Sequence, residues 1–266
     1  MKNLVFLLII SVSIFACAGT ESLGLDKTPP EKPTMIPHLG DSGDTIDGIA
    51  DYSFYFTTEL EENGIDAVSD GNKIKIEWEH LLDNDLDYIR IHRFTEQDYL
   101  ADSLAYSTII DSINYVGVDN YKDNFTNDYH VTGKNWFYFI ETFDTSGNST
   151  FSDTVCYRLL EKTLVQSPSE FTEVNSMNEV DFIWNLSGAQ YYKILVFDSE
   201  REIIWSYQPL DLEDTNIPYG GAEVPSGDYI IRIDAFGYQT TSTPINGKTY
   251  QILAGAESEE RAVIVQ

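Results

Sequence analysis

The sequence predicts an all-β fold, arranged as two sandwiches in tandem behind an exported amino terminus, and three observations predict it. Short apolar segments recur along the chain with period-two alternation; Gly, Asp, Asn and Pro bound them; stretches of helical period are few. In the first half the segments are 73–79, with Ile74, Ile76 and Trp78 on one face, 88–94, with Ile89 and Ile91 on one face, the aromatic run 136–143, and 150–160. In the second half they are 180–185, 191–198, 203–207, 228–236 and 261–265. Each alternates as a strand with one buried face must.

A weak internal repeat divides the chain. Phe182-Ile183-Trp184 echoes Ile76-Glu77-Trp78, and the aromatic-rich run 227–236 echoes 135–143, so that in both halves a Trp strand precedes an aromatic strand. Two copies of one sandwich would produce this order. The boundary is expected near 164–168, where the segment KTLVQSPS interrupts the strand pattern.

The amino terminus reads Met1-Lys2-Asn3 and then an apolar run from Leu4 to Phe15, broken only by Ser11 and Ser13. Twelve helical residues reach roughly 18 Å, short of the about 30 Å of a bilayer core, which predicts a signal peptide and not a membrane span. The run ends in Ile14-Phe15-Ala16-Cys17, followed by Ala18 and Gly19. This resembles the lipobox of bacterial lipoproteins, with an aliphatic residue three before the cysteine and a small residue before it, although Phe15 is bulkier than that pattern usually has. The resemblance implies acylation of Cys17 and anchoring to a lipid bilayer. Ordinary secretion, with cleavage near Ala16 or Ala18 and no role for Cys17, is the alternative. Ala18 and Gly19 resemble residues compatible with outer-membrane sorting, so the expected location is the cell envelope, at the outer membrane on its periplasmic or surface face.

Charge narrows the partners. The chain carries 16 Lys and Arg against 44 Asp and Glu, a net charge of −28, and cleavage before Cys17 removes Lys2 and makes it −29. A field of that sign repels nucleic acid and anionic headgroups and favours cations and basic partners, so no nucleic-acid partner is expected. Cys156, in the apolar stretch Thr154-Val155-Cys156-Tyr157, has no disulfide partner if Cys17 is acylated, and reads as a small core residue.

The first half also resembles a bacterial fibronectin type III domain. The resemblance lies in the leading segment Asp26-Lys27-Thr28-Pro29-Pro30-Glu31-Lys32-Pro33, the strand Ile74-Lys75-Ile76-Glu77-Trp78, the turn and strand 83–93 (DNDLDYIRIHR) and the strand and turn 138–148 (YFIETFDTSGN). The second half resembles the family more loosely, through Trp184, the strand 192–198 and the segment 225–229 (PSGDY), and departs from it in the long tail 240–266, where the last strand comes late. The resemblance implies immunoglobulin-like sandwiches and a role in display, spacing or binding, and it carries over no catalytic residues. The expected domains are a signal peptide over 1–16, a lipidated tether over 17–33, a sandwich over 34–165 with an acidic insertion at 40–72, and a divergent second sandwich over 166–266.

No motif argues for catalysis or a cofactor. The four histidines, His38, His80, His92 and His130, share no metal-ligand spacing, and His92 is expected on the solvent face. Asp83, Asp85 and Asp87 suit an oxygen-preferring cation, but the stretch lacks the Gly and distal Glu of an EF-hand and reads as an acidic turn; no metal site is assigned. Neither Gly-x-Ser-x-Gly nor a phosphate loop occurs. The aromatic sets Ile203, Trp205, Tyr207 and Trp136, Tyr138, Ile140 read as sandwich core. Tyr52 and Tyr55, in the insertion, are the aromatics expected to be exposed. The expected function is therefore non-enzymatic: a membrane-anchored module that binds, displays or spaces an envelope or extracellular protein. The alternative is a carbohydrate-binding accessory lipoprotein with a glycan partner.

Overall fold

The computed structural model describes residues 26–36, 65–66, 72–125, 130–209, 213–242, 245 and 247–266. Cys17, Tyr52, Tyr55 and most of the insertion 40–72 lie outside them. The chain is all-β, and the strand order repeats.

In the first half, β1 (Met35–Ile36) and β2 (Ile65–Asp66) lie end to end on one edge of β3 (Lys73–Trp78), with β6 (Asn120–Asp123) on its other edge. The insertion thus leaves and rejoins the same edge. The facing sheet runs from β5 (Thr108–Asn114) through β4 (Leu86–Phe94) and β7 (Asn135–Asp144) to β9 (Val155–Leu159). The expected strand 150–160 is split: β8 (Ser149–Phe151) pairs with β7, and the chain steps across Ser152 to Thr154 before β9. The one α-helix among the described residues, α1 (Glu96–Ala101), follows β4 and is capped by Thr95, which bonds reciprocally with Asp98.

The second half repeats the order. β10 (Val165–Ser167), β12 (Asp181–Trp184) and β15 (Asn216–Pro218) form the small sheet. β14 (Ile203–Tyr207), β13 (Tyr191–Phe197) and β16 (Gly227–Ser242) form the large one. β17 (Thr249–Glu257) and β18 (Arg261–Val265) lie end to end along β16, and β11 (Thr172–Val174) adds to β18 in parallel. A cis Ser167-Pro168 bond stands where the chain crosses from β10 in one sheet to β11 in the other. Each half therefore has the two facing sheets of a fibronectin type III-like sandwich, with a split last strand.

Alternation places the core. Ile74, Ile76 and Trp78 face Ile89, Ile91, Trp136, Tyr138 and Ile140 across the first sandwich, and Phe182 and Trp184 face Ile194, Val196, Ile231 and Ile233 across the second. These side chains belong to one contiguous core that runs through both halves. At roughly 25 cal/mol per Å² of apolar surface, burial of so many large side chains is the main favourable contribution to folding.

The long tail of the second half makes the join. β16 is 16 residues long, about 50 Å at 3.3 Å per residue, so it and β17 project beyond their own sandwich. The projecting part of β17 pairs in parallel with β9, Ile252 opposite Cys156 through Gly255 opposite Leu159, and the Leu160 N–H donates to the Gly255 carbonyl at 2.9 Å. The two large sheets thereby become a single sheet of 11 strands. On its outer side Phe94, Phe137, Cys156 and Ile252 stand in register across four strands and, with Ile245 of the β16–β17 turn, form a second buried cluster flanked by Tyr99 and Tyr106. β7 is consequently buried along both faces, where the sequence predicted one.

Because the halves share a sheet and a core, they are expected to unfold together. Urea denaturation should give coincident transitions by fluorescence and circular dichroism. Ile252→Ala should lower the midpoint by an amount worth about 2–5 kcal/mol, as a truncated buried aliphatic does. Two separated transitions in the wild type would contradict the shared sheet.

Candidate functional site

The first place where chemistry-bearing residues converge is the pole of the first sandwich at which the chain enters it. The Asp26 carbonyl accepts from Asn148 Nδ2 at 3.0 Å, the Glu31 N–H donates to Asp83 Oδ2 at 2.7 Å, and Thr150 Oγ1 donates to the Pro30 carbonyl at 2.7 Å. Lys32 pairs with Asp153 at 2.6 Å, although both are largely exposed and the pair adds little. Residues from 26 onward are thus fastened along the sandwich, upstream of the expected tether end at residue 33.

Three carboxylates meet there. Asp26, Asp85 and Asp144 each offer an oxygen, all within 4.8 Å of one another. Of the acidic turn singled out in the sequence, only Asp85 joins this group: Asp83 holds Glu31, and Asp87 lies in β4, its carbonyl accepting from the Tyr115 N–H. Asp26 and Asp144 were the missed members; both lie in the segments that carry the fibronectin resemblance, but sequence spacing could not show that those segments converge. Oxygens at this spacing could ligate a hard cation. Asp144 already has a structural task, since its Oδ1 accepts from the N–H groups of Ser146 and Asn148 at 2.9 and 2.8 Å and its Oδ2 from Asn148 Nδ2 at 2.7 Å. That turn places Gly147 at φ +85°, a conformation open to glycine.

The second place is the outer face of β4 and β7. His92, expected on the solvent face, lies on the outer face but is buried there. It stacks on Phe139 with ring centroids 4.4 Å apart, its Nδ1 lies 3.2 Å from Ser107 Oγ, and its Nε2 lies 3.4 Å from Glu141 Oε2. Burial lowers its pKa more than Glu141 raises it, so the imidazole is neutral at pH 7. Glu141 in turn accepts from Ser149 Oγ at 3.0 Å and lies 3.7 Å from Arg90, whose guanidinium covers Phe143. The group is a packed polar patch on the sheet.

A notch of about 470 Å³ lined by Arg93, Gln97, Lys134, Asn135 and Trp136 opens beside α1. Its arginine is committed: Arg93 donates to Asp123 Oδ2 at 2.8 Å and lies over the neighbouring rings of Phe125 and Trp136, 4.9 and 4.7 Å from their centroids, while the same Asp123 oxygen accepts from Tyr138 at 2.9 Å. Cys156 is also inert, because burial pushes its thiol far up.

The third place is a buried charge cluster on the outer face of β16. Arg232 chelates Asp234 through Nε at 2.8 Å and Nη2 at 3.1 Å, its Nη1 lies 2.9 Å from Glu257, and all three are almost wholly buried. Asp234 stands directly opposite Glu257 and Lys193 in the sheet. Burial pushes its carboxyl up to about 6 against the opposing charge of Arg232. The aromatic sets divide: Trp136, Tyr138 and Ile140 are core, as expected, but Trp205 is half-buried and Tyr207 exposed at a sheet edge.

No protein-family model matches the chain, and no curated protein matches it. Among solved structures it is similar to the FN1–FN3 domains of chicken CNTN1 (12% identity, TM-score 0.37, 76% of this chain and 63% of that one). It is also similar to the fibronectin(III)-like modules of Clostridium thermocellum CbhA (11% identity, TM-score 0.30, 76% and 90%). A third is a 1.5-MDa bacterial ice-binding adhesin (8% identity, TM-score 0.25, 91% and 67%). The chain spans less than two thirds of the CNTN1 fragment.

Burial alone would raise Asp144, but hydrogen bonds from the Asn148 side chain and from the N–H groups of Asn148, Ser146 and Gly147 outweigh it and hold the carboxyl below the usual range. A depressed carboxyl stabilises the fold above its unfolded pKa, near 3.9, and loses that effect as pH falls through its folded value. The midpoint difference between wild type and Asp144→Ala should thus be full at pH 6 and shrink below about pH 4. Arg232→Met should destabilise by about 3–5 kcal/mol in urea titrations at pH 7, because it leaves Asp234 and Glu257 facing each other without their shared cation.

Proposed function

We propose that the protein is a non-enzymatic, lipid-anchored module of the cell envelope that binds, displays or spaces a partner protein. The seam between β17 and β9 is the observation that carries this reading: it turns two sandwiches into one stiff body, as a spacer or display scaffold requires. The amino-terminal fastening supports the same reading. If Cys17 carries acyl chains, only residues 18–25 separate the lipid from the first fastened residue, a leash of at most about 30 Å. The body would then stand close to the bilayer at a fixed end. Several acyl chains, at about 0.8 kcal/mol per buried CH₂, give stable anchoring.

The test is intact-protein mass and membrane fractionation of wild type beside Cys17→Ala, in a bacterial host that acylates lipoproteins. The wild type should carry acyl mass and sediment with membranes, and the variant should do neither. Unmodified, soluble protein in both cases would refute the anchor.

A further inference from the structure

We infer that the free edge of β14 is a docking site for an extended, basic segment of a partner protein, which adds to the 11-stranded sheet as a further strand. The inference deepens the protein-binding part of the function proposed above and rests on it.

A free sheet edge presents unpaired N–H and C=O groups, and folded proteins blunt such edges with charge, proline or shortness. Among the described residues the short outer strands are blunted in these ways, and besides β14 only the stretch of β16 past Phe236, beyond the end of β13, is left as an uncharged edge. β5 carries Asp111 at its centre and β6 carries Lys122 and Asp123. β15 ends in Pro218, β10 runs into Pro168, and β11 has three residues including Glu173. β1, β2 and β8 are two or three residues long. β14, Ile203-Ile204-Trp205-Ser206-Tyr207, has five residues, no charge and no proline, and among the described residues pairs only with β13. Its one irregularity is a bulge at Ile204.

The edge is also held in place. Trp205 stacks on Phe182 with centroids 5.5 Å apart and meets Tyr219 at 5.0 Å. At Gly221 a Cβ would come within 2.9 Å of the Trp205 ring, so that close packing needs glycine there. An incoming strand would meet a pre-ordered template, which lowers the entropy cost of binding.

Charge selects the occupant. The exposed Glu200 and Glu202 lie in the turn that leads into the strand, and the exposed Glu213 and Asp214 lie in the connection that leaves it for β15. The cation in the first turn, Arg201, is engaged by Glu260 through two hydrogen bonds at 3.0 and 2.8 Å. In a chain of net charge −28, a second copy would bring acidic flank to acidic flank, whereas a lysine- or arginine-rich strand would complement that charge.

The test uses the full chain and a ten-residue, end-blocked peptide of alternating lysine and threonine, beside the same peptide N-methylated at every backbone nitrogen, which keeps its charge but has no backbone N–H to donate to the edge. Amide hydrogen exchange should slow at least tenfold over 203–207 with the first peptide and not with the second. Ser206→Pro, which removes an edge N–H, should weaken binding at least tenfold. If that variant does not fold, Glu200→Gln with Glu202→Gln should weaken binding severalfold at low salt. No protection at β14, or equal protection by the N-methylated peptide, would overturn the inference. So would a concentration-dependent dimer that the proline or glutamine changes abolish, which would assign the edge to a second copy. A chain that is acylated and membrane-bound but fails with the peptide keeps the spacer reading and loses this one.

Discussion

The structure depends on one run of hydrogen bonds, the parallel pairing of β17 with β9. Two sandwiches joined end to end by a five-residue connection would ordinarily share little surface and move against each other. Here the last strand of the second sandwich leaves its own fold, guided by the overlong β16, and lies beside the last strand of the first. Both sides of the sheet are continuous across that line. On the inner side Trp136, Tyr157 and Leu253 stand in register, and on the outer side Phe94, Phe137, Cys156 and Ile252 do. The seam is thus a packed core as well as a ladder.

Covering a sheet on both faces has consequences for polar residues. An immunoglobulin-like sheet usually keeps one face wet, where charged residues alternate with the core set. Once the outer face is also covered, those residues must find partners or lose their charge. His92 is held neutral beside Glu141, and Arg232 is matched by two carboxylates, one of them with its pKa raised. These clusters resemble catalytic constellations in composition, since each brings acid and base together in a dry place. In both the ionisable groups are turned toward each other: His92 Nε2 lies 3.4 Å from Glu141, and Arg232 lies 2.8 Å from Asp234 and 2.9 Å from Glu257.

How much of this was legible in the sequence follows from the range of each interaction. Strands with one buried face, such as β3 and β12, declare themselves by alternation. Short edge strands such as β1, β10 and β15 carry too few residues for any period to show, and β5 has its apolar residues offset by the register shift opposite Ile91 and His92. β17 was missed for a different reason. Its sequence Thr-Tyr-Gln-Ile-Leu-Ala-Gly-Ala-Glu is buried on both faces in its second part, so it lacks alternation, and its small residues make it look like a loop. The departure of the tail 240–266 from the family pattern was visible; that the departure is the joint itself depends on contacts a hundred residues away. The acidic group at the entry pole was one-third visible for the same reason, through Asp85 alone.

The seam and the negative surface bear on the same physical requirement. If the chain is anchored as proposed, a body held near a membrane by a short leash and meant to reach a partner must resist bending, or the partner's position is lost to thermal motion. A flexible connection of a few residues permits wide swings, whereas a shared sheet bends only by deforming hydrogen bonds and core contacts along its whole width. The charge keeps such a body off anionic headgroups and off its neighbours, because like-charged surfaces closer than a Debye length of about 8 Å repel. Rigidity sets where the far end of the body stands; charge keeps its sides from sticking. An unblunted edge such as β14 is tolerable in this setting because the surrounding carboxylates repel further copies of the same chain, so the acidity that limits aggregation also leaves the edge open to a basic strand.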